Sequence, residues 1–232
     1  MGKEVLRTEG LVKRFGEFVA VNKVSLSFEE GERTAIIGPN GAGKTTFINL
    51  VTGQLRADEG SVFLNGRDIT GLSPHERVKE GLNRTFQIPS VFKSLTVEQN
   101  LLVATSTSGA DADEVGEIIE GLGLRPYLTT KAALLPYGLM KVLELGIALL
   151  SRPSVLFLDE PTAGLNVGEK ERIVSLLQSL PSRVTLVVVE HDMDVVFTLA
   201  RRIVVMHRGE VLADGAPQAI AADQRVKEVY LG

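Results

Sequence analysis

The chain has 232 residues, 25 Lys+Arg against 29 Asp+Glu (net charge −4) and 44% hydrophobic residues, which fits a chain with a buried core and lacks the basic excess of a general nucleic-acid binder. It contains no cysteine, which excludes disulfides, thiolate metal sites, iron–sulfur clusters and cysteine nucleophiles. No apolar run approaches the roughly 18–20 residues needed to cross a bilayer, and the first residues, Met-Gly-Lys-Glu-Val, form no apolar signal-peptide core, so the expectation is a protein of a reducing cytosol that meets a membrane only through a partner.

In chain order, Val5–Val12 and Phe18–Phe28 alternate in the manner of antiparallel strands around Gly16-Glu17. Thr34–Ile37 is a short apolar run that reads as a buried strand, followed by a glycine-rich loop and a helix over Thr45–Val51. Gly60–Gly66 predicts a short strand ending in an Asn-Gly turn. From about Pro74 to Arg152 the texture is helical. Ala104–Ala110 reads as a small, polar linker between helices. Val115, Ile118, Ile119 and Leu122 recur at helical spacing among Glu114, Glu117 and Glu120, giving an amphipathic helix with an acidic outer face. Leu139–Leu150 is apolar almost all round and predicts a buried helix too short to span a membrane. Strand-like runs at Val155–Leu158, Val184–Val189 and Ile203–Met206 then alternate with helices at Val167–Leu180 and Met193–Ala200. Such alternation implies a parallel sheet covered on both faces, here with a mainly helical lobe inserted into a β/α core. His75 and His207 read as surface residues.

Gly38-Pro39-Asn40-Gly41-Ala42-Gly43-Lys44-Thr45 satisfies G-x-x-x-x-G-K-[ST]. The glycines let the backbone curl so that successive N–H groups face one concavity and meet phosphate oxygens. A helix starting near Lys44 adds its positive end. Lys44 supplies an ammonium for the β- and γ-phosphates, and the Thr45 hydroxyl can ligate Mg²⁺; Thr46 follows in the same cradle. A strand before the loop and a helix after it are what this mechanism requires, and a chance glycine-rich turn would not supply them.

Val155–Leu158 delivers Asp159-Glu160 to the C-terminal edge of a strand, where ligands of open α/β sheets bind. Alone, two adjacent acids also read as helix-capping surface residues. Beside a phosphate loop, Asp159 reads as a Mg²⁺ holder and Glu160 as the group that polarises an attacking water. His191 ends the strand Val184–Val189 at the same sheet edge, so a role at the terminal phosphate is expected.

Together these motifs resemble the ATP-binding cassette (ABC) ATPases, the nucleotide-binding subunits of ABC transporters. The resemblance spans essentially the whole chain. Beyond the loop and Asp159-Glu160 it rests on Gln87 in Arg84-Thr85-Phe86-Gln87, on Asp159-Glu160-Pro161-Thr162-Ala163-Gly164-Leu165-Asn166 and on Glu190-His191-Asp192. It implies an α/β fold: a P-loop NTPase core with an N-terminal antiparallel β subdomain and an inserted α-helical subdomain, the core at 1–86 and 153–232 and the helical part at about 87–152. It further implies that Phe15 stacks on adenine, that Gln87 contacts Mg²⁺ and the water while sensing the membrane partner, and that His191 contacts the γ-phosphate.

Two departures stand out. The family signature Leu-Ser-Gly-Gly-Gln reaches across a dimer to the partner's γ-phosphate, but this chain has Leu135-Pro136-Tyr137-Gly138-Leu139. The serine hydroxyl is gone and Pro136 has no N–H. A hydrogen bond to a charged group is worth about 1.5–3 kcal/mol, so ATP clamping would weaken roughly tenfold to a hundredfold, with Gly138 and the helix N-terminus left to make the contact. The other departure is Asn166, where the family commonly has Asp. The motifs look most like subunits that import branched-chain amino acids, with urea and amide importers as the alternative and a binding-only regulatory cassette as a further one.

The resemblance implies ATP and Mg²⁺ as cofactors. It also implies transmembrane permease subunits, a second cassette (heterodimer or homodimer), an indirect extracytoplasmic substrate-binding protein, a place on the cytoplasmic face of the membrane, and no nucleic acid; an exposed apolar edge around Val91, Phe92 and Leu95, just after Gln87, is expected to receive a short permease helix. The short C-terminus, ending at Gly232, is expected to leave no room for a regulatory domain. A nucleic-acid-directed cassette would carry coiled-coil, zinc or tandem modules, and a small-molecule kinase would not explain Gln87, His191 or the Glu160–Asn166 loop.

Overall fold

A computed structural model describes residues 2–231 of the chain; the chain ends Met1 and Gly232, on which the expectations about a signal peptide and a regulatory domain in part rest, lie outside the described residues. In chain order the elements are β1 (Glu4–Phe15), β2 (Phe18–Glu29), β3 (Arg33–Ile37), α1 (Lys44–Val51), β4 (Glu59–Leu64), β5 (Arg67–Asp68), α2 (Pro74–Lys79), β6 (Leu82–Arg84), α3 (Val97–Ser108), α4 (Ala112–Gly121), α5 (Tyr137–Leu150), β7 (Val155–Asp159), α6 (Val167–Ser179), β8 (Thr185–Val189), α7 (Met193–Leu199), β9 (Arg202–His207), β10 (Glu210–Gly215), α8 (Pro217–Ala222) and α9 (Gln224–Leu231). Short 3₁₀ turns lie at Arg125–Tyr127 and Ala132–Leu134.

The strands form two sheets. The first is antiparallel with order β2-β1-β4-β5. Its β4–β5 corner is the expected Asn-Gly turn: Asn65 has φ 49° and Gly66 φ 78°, the pair of positive angles that a two-residue hairpin requires. The second sheet has order β10-β9-β3-β8-β7-β6, parallel from β9 to β6 with β10 antiparallel at one edge.

Every residue of β7 and β8 is buried, because this sheet is covered on both faces. Strand alternation sorts its side chains. Leu156, Leu158, Leu186 and Val188 pack with the apolar residues of α3, α4 and α5. Val155, Phe157, Val187 and Val189 pack with α1 and the antiparallel sheet. α5 is buried through most of its length, as its all-round apolar sequence predicts.

The expected linker at Ala104–Ala110 is corrected. α3 runs on to Ser108, opened by a reciprocal capping box between Thr96 and Gln99 and closed by Gly109 in the left-handed region. The Ala-Thr-Ser-Thr-Ser run has no apolar stripe to announce a helix, and the caps decide it. The helical texture from Pro74 is also interrupted by β6, which pairs in parallel with β7. Of the residues offered as an exposed apolar edge, Phe92 is exposed, whereas Val91 packs against the core and Leu95 is half-buried. Among the described residues no helix is long and apolar enough to cross a membrane.

Candidate functional site

The loop between β3 and α1 needs its glycines for identifiable reasons. Gly38 has φ 152°, and a Cβ there would sit 2.2 Å from the Met206 carbonyl oxygen. Gly43 has φ 99°, with a Cβ falling 2.4 Å from the Ala20 carbonyl oxygen. The loop is therefore wedged between β9 and β2, and only main chain fits at those two points. Gly43 is the N-cap of α1 and makes no side-chain cap bond, so the first amides of the helix stay available to an anion. Ala42 is buried, Asn40, Gly41 and Thr45 are exposed, and Pro39 and Thr46 are half-buried. Lys44 Nζ folds back to donate to the carbonyls of Gly38 at 2.6 Å and Pro39 at 3.1 Å. Burial pulls the Lys44 pKa down while Glu160 and Asp159 pull it up. This is a cationic cradle shaped by main chain.

Phe15 closes β1 opposite Phe18 across the Gly16-Glu17 turn, and the two rings are 50% and 61% exposed. Phe15 is thus no core residue. Ala20, two residues beyond Phe18, is the residue whose carbonyl packs on Gly43, so the hairpin end flanks the loop with an open aromatic face.

Asp159 is the last residue of β7 and is buried. Arg84, at the end of β6, donates to its Oδ2 at 3.2 Å and to Asn49 Oδ1 of α1 at 2.5 Å, with Phe86 stacked 4.5 Å beneath the guanidinium. Burial raises the Asp159 pKa, and Arg84 works against that rise. The sequence reading missed Arg84 as a partner, although it stands in the same run as Gln87.

Glu160 has φ 47°, a left-handed angle that is uncommon for a residue with a Cβ. Its side chain accepts a 2.8 Å hydrogen bond from Gln87 Nε2, and His191 Nδ1 lies 3.9 Å from its other oxygen. Three residues expected from separate motifs are thereby brought together, with His191 facing solvent. An open cleft of about 460 Å³ runs beside Asp159, Gln87 and Arg84.

Glu190 was not expected in the site. It is 1% exposed, and its carboxylate accepts from Thr162 N and Oγ1 at 3.0 and 2.6 Å and from His191 N at 3.1 Å. It joins the Glu160–Asn166 loop to the His191 turn. Asn166 caps α6 in a reciprocal box with Glu169, a task an Asp would also perform.

The Leu135–Gly138 segment leads into α5. Leu135 is buried, and so is Gly138, where a Cβ would meet Glu169 Oε1 at 2.9 Å. The exposed member is Pro136, which serves as N-cap without a side-chain cap bond. Tyr137 is half-buried, and its hydroxyl donates to the Gln87 carbonyl at 3.1 Å. Glu144 of α5 accepts from the amides of Phe86 and Ser90 at 3.2 and 3.0 Å. Burial pushes its carboxyl up to about 7, against those amides and against Lys141 and Arg84.

Thr45, Gln87 and Asp159 offer hydroxyl, amide and carboxylate oxygens, the hard donors that suit Mg²⁺. With Gln87 Nε2 engaged by Glu160, its Oε1 is the atom left to ligate. Among the described residues no group of three or more His, Asp or Glu side chains could hold a metal ion.

An ABC transporter family profile matches residues 21–163, and a branched-chain amino acid ATP-binding cassette transporter profile matches residues 210–232. The chain is 37% identical to the probable branched-chain amino acid transport ATP-binding protein LivG of Methanocaldococcus jannaschii, over 99% of this chain and 98% of that one. It is also 37% identical to the high-affinity branched-chain amino acid transport ATP-binding protein BraF of Pseudomonas aeruginosa, over 100% and 99% of the two chains. Among solved structures, the ADP conformation of MJ1267, an ATP-binding cassette of an ABC transporter, superposes with a TM-score of 0.88 at 37% identity, covering 99% of each chain.

Proposed function

The chain belongs to the ATP-binding cassette transporter family, and from that membership we propose that it is the ATP-hydrolysing subunit of an importer for branched-chain or other hydrophobic amino acids. The observation that carries the hydrolytic part is the 2.8 Å hydrogen bond between Gln87 and Glu160, at a sheet edge whose acids act electrostatically on Lys44. The likeness to LivG and BraF supports the substrate class.

The residues take the following roles. The Gly38–Thr46 cradle binds the triphosphate through main-chain N–H groups, and Lys44 neutralises the β- and γ-oxygens. Phe15 stacks on adenine. Glu160 orients the attacking water, Gln87 holds the Glu160 carboxylate in place, and His191 contacts the γ-phosphate. Thr45, Gln87 and Asp159 would hold Mg²⁺, which when bound supplies charge neutralisation at the phosphates. Catalysis is then mostly positioning and electrostatics.

Residues 1–86 and 153–232 act as the core, and about 87–152 as a helical subdomain between core and permease. The Leu135–Gly138 segment serves the nucleotide of a second cassette, most simply a related chain in a heterodimer. The pair works under transmembrane permease subunits on the cytoplasmic face, with an extracytoplasmic substrate-binding protein reached through them. ATP favours the closed pair, and only this difference in affinity between states can drive transport. The exposed, N–H-less Pro136 favours a second reading, a binding-only regulatory cassette.

Phosphate release from Mg-ATP by wild type and Glu160→Gln tests the first reading. The variant should lose on the order of 10²–10⁴ in rate while keeping ATP binding. An equal rate would remove Glu160 from the mechanism. Phosphate absent from the wild type but nucleotide still bound would favour the regulatory reading, and transfer to an acceptor would mark a kinase.

A further inference from the structure

One face of α5 carries three polar side chains in an otherwise apolar helix: Tyr137, Lys141 and Glu144, spaced i, i+4, i+7. All three bond to the segments that hold Gln87 and Glu160. The Tyr137 hydroxyl reaches the Gln87 carbonyl. The Glu144 carboxyl takes the amides of Phe86 and Ser90, on either side of Gln87. Lys141 Nζ donates to the carbonyl of Glu160 at 2.8 Å.

Lys141 is the least expected of the three. It is 6% exposed, and among the described residues it forms no ion pair with a carboxylate. Its ammonium lies 5.4 Å from the centre of the Tyr137 ring and faces Glu190, Glu144, Glu160 and Asp159 at longer range. A buried ammonium is costly unless a partner needs it, and a Leu or Met would fill this position more cheaply. The partner that needs it is a strained one. Glu160 holds φ 47°, with its N–H given to the Val189 carbonyl at 2.9 Å and its carbonyl taken by Lys141. The main chain at this turn is gripped from both sides.

We propose that Lys141 is a positioning residue for ATP hydrolysis, fixing the left-handed turn at Glu160 so that the Glu160 carboxylate points at the water. The inference rests on the reading of Glu160 as the water-orienting residue. It also has a consequence for the pair of cassettes. α5 begins at the segment assigned to the partner's nucleotide, so a shift of this helix on closure moves Lys141 and Tyr137 against Glu160 and Gln87 of the same chain.

The experiment compares Lys141→Met, Lys141→Gln and Lys141→Arg with wild type, reading kcat and KM for Mg-ATP, nucleotide affinity and thermal midpoint. Lys141→Met should lower kcat tenfold to a hundredfold with ATP affinity within about threefold of wild type, and Lys141→Arg should recover most of the rate. Should Lys141→Met fail to fold, Lys141→Gln carries the same expectation. In the double variant with Glu160→Gln, the second change should slow hydrolysis no further, since Lys141 acts through Glu160. Independent, multiplying losses overturn the proposal, as does a Met variant within twofold of wild type, or equal loss of affinity and rate in Met and Arg variants. If Glu160→Gln alone keeps its rate, the underlying reading of Glu160 fails first. If it is inactive while Lys141→Met is not, this inference fails alone.

Discussion

Glu190 holds Thr162 by both its main-chain N–H and its hydroxyl, at 3.0 and 2.6 Å, from a position 1% exposed to solvent. Its other oxygen takes the amide of His191. One buried carboxylate therefore fixes the spacing between the loop after Glu160 and the turn that carries His191. Glu190→Gln places an amide N–H₂ against some of these donors. We expect a loss of about 2–4 kcal/mol in stability, measured by denaturant unfolding, together with slower phosphate release. A variant as stable as wild type would show that the loop holds itself.

Lys44 donates to two loop carbonyls and, among the described residues, has no carboxylate in hydrogen-bond contact. Lys44→Ala should therefore leave the fold intact while weakening ATP and ADP at least tenfold. Adenosine monophosphate, which lacks the phosphates Lys44 serves, should bind wild type and variant alike. Calorimetric titration of the three nucleotides checks this.

Two glycines of the cradle separate a steric from a conformational requirement. Gly43→Ala drives a methyl group to 2.4 Å from the Ala20 carbonyl oxygen, so it should destabilise the protein by several kcal/mol and abolish ATP binding. Gly41 has φ 79° and nothing within 4 Å of an added Cβ. Gly41→Ala should cost only about 1–2 kcal/mol. Thermal midpoints and nucleotide titrations of both variants give the comparison.

Glu144 makes stability depend on pH near neutrality. Its folded pKa, about 7, lies above the ordinary 4.5. Between those values the unfolded chain has released a proton that the folded chain still holds, so stability falls as pH rises from about 4.5 to 7. The contribution is on the order of 3 kcal/mol. Glu144→Gln keeps an oxygen for Phe86 and Ser90 but cannot ionise. The variant should flatten this slope and gain on wild type at pH 8 relative to pH 5, measured by urea unfolding at both pH values.

Pro136 is the exposed residue of its segment. Pro136→Ser restores a hydroxyl and an N–H. As a helix N-cap serine adds roughly 1 kcal/mol, and loss of the proline's stiffness removes about as much, so the thermal midpoint should barely move. ATP-driven pairing of cassettes should tighten roughly tenfold to a hundredfold, read by sedimentation at graded ATP with the hydrolysis-defective Glu160→Gln as background.

The phosphate loop, the parallel sheet and the Asp159-Glu160 edge were legible because each is written in contiguous residues whose types are forced by local physics. Glycine suits the φ of 152° at Gly38 and 99° at Gly43, and β7 and β8 announce burial by continuous apolar runs. What escaped was written at long range or in caps. Arg84 meets Asp159 across 75 positions and Glu190 meets Thr162 across 28, with no local pattern to pair them. Lys141 lies in an apolar helix and meets the Glu160 carbonyl 19 positions away, again with no local pattern to pair them. α3 was missed over Ala104–Ser108 because its limits come from Thr96, Gln99 and Gly109, not from a stripe.

β3 lies inside the parallel sheet, flanked by β8 and β9, whereas Gln87 stands in an exposed stretch beyond β6, the edge strand. Amide exchange should thus be slowest on the strand that feeds the phosphate cradle and faster by orders of magnitude on the stretch around Gln87. On the proposed roles, nucleotide grip would rest on an interior strand and the timing of turnover on an exposed stretch beyond the sheet edge. Mutations could then reset the clock of the cycle without touching its hold on fuel.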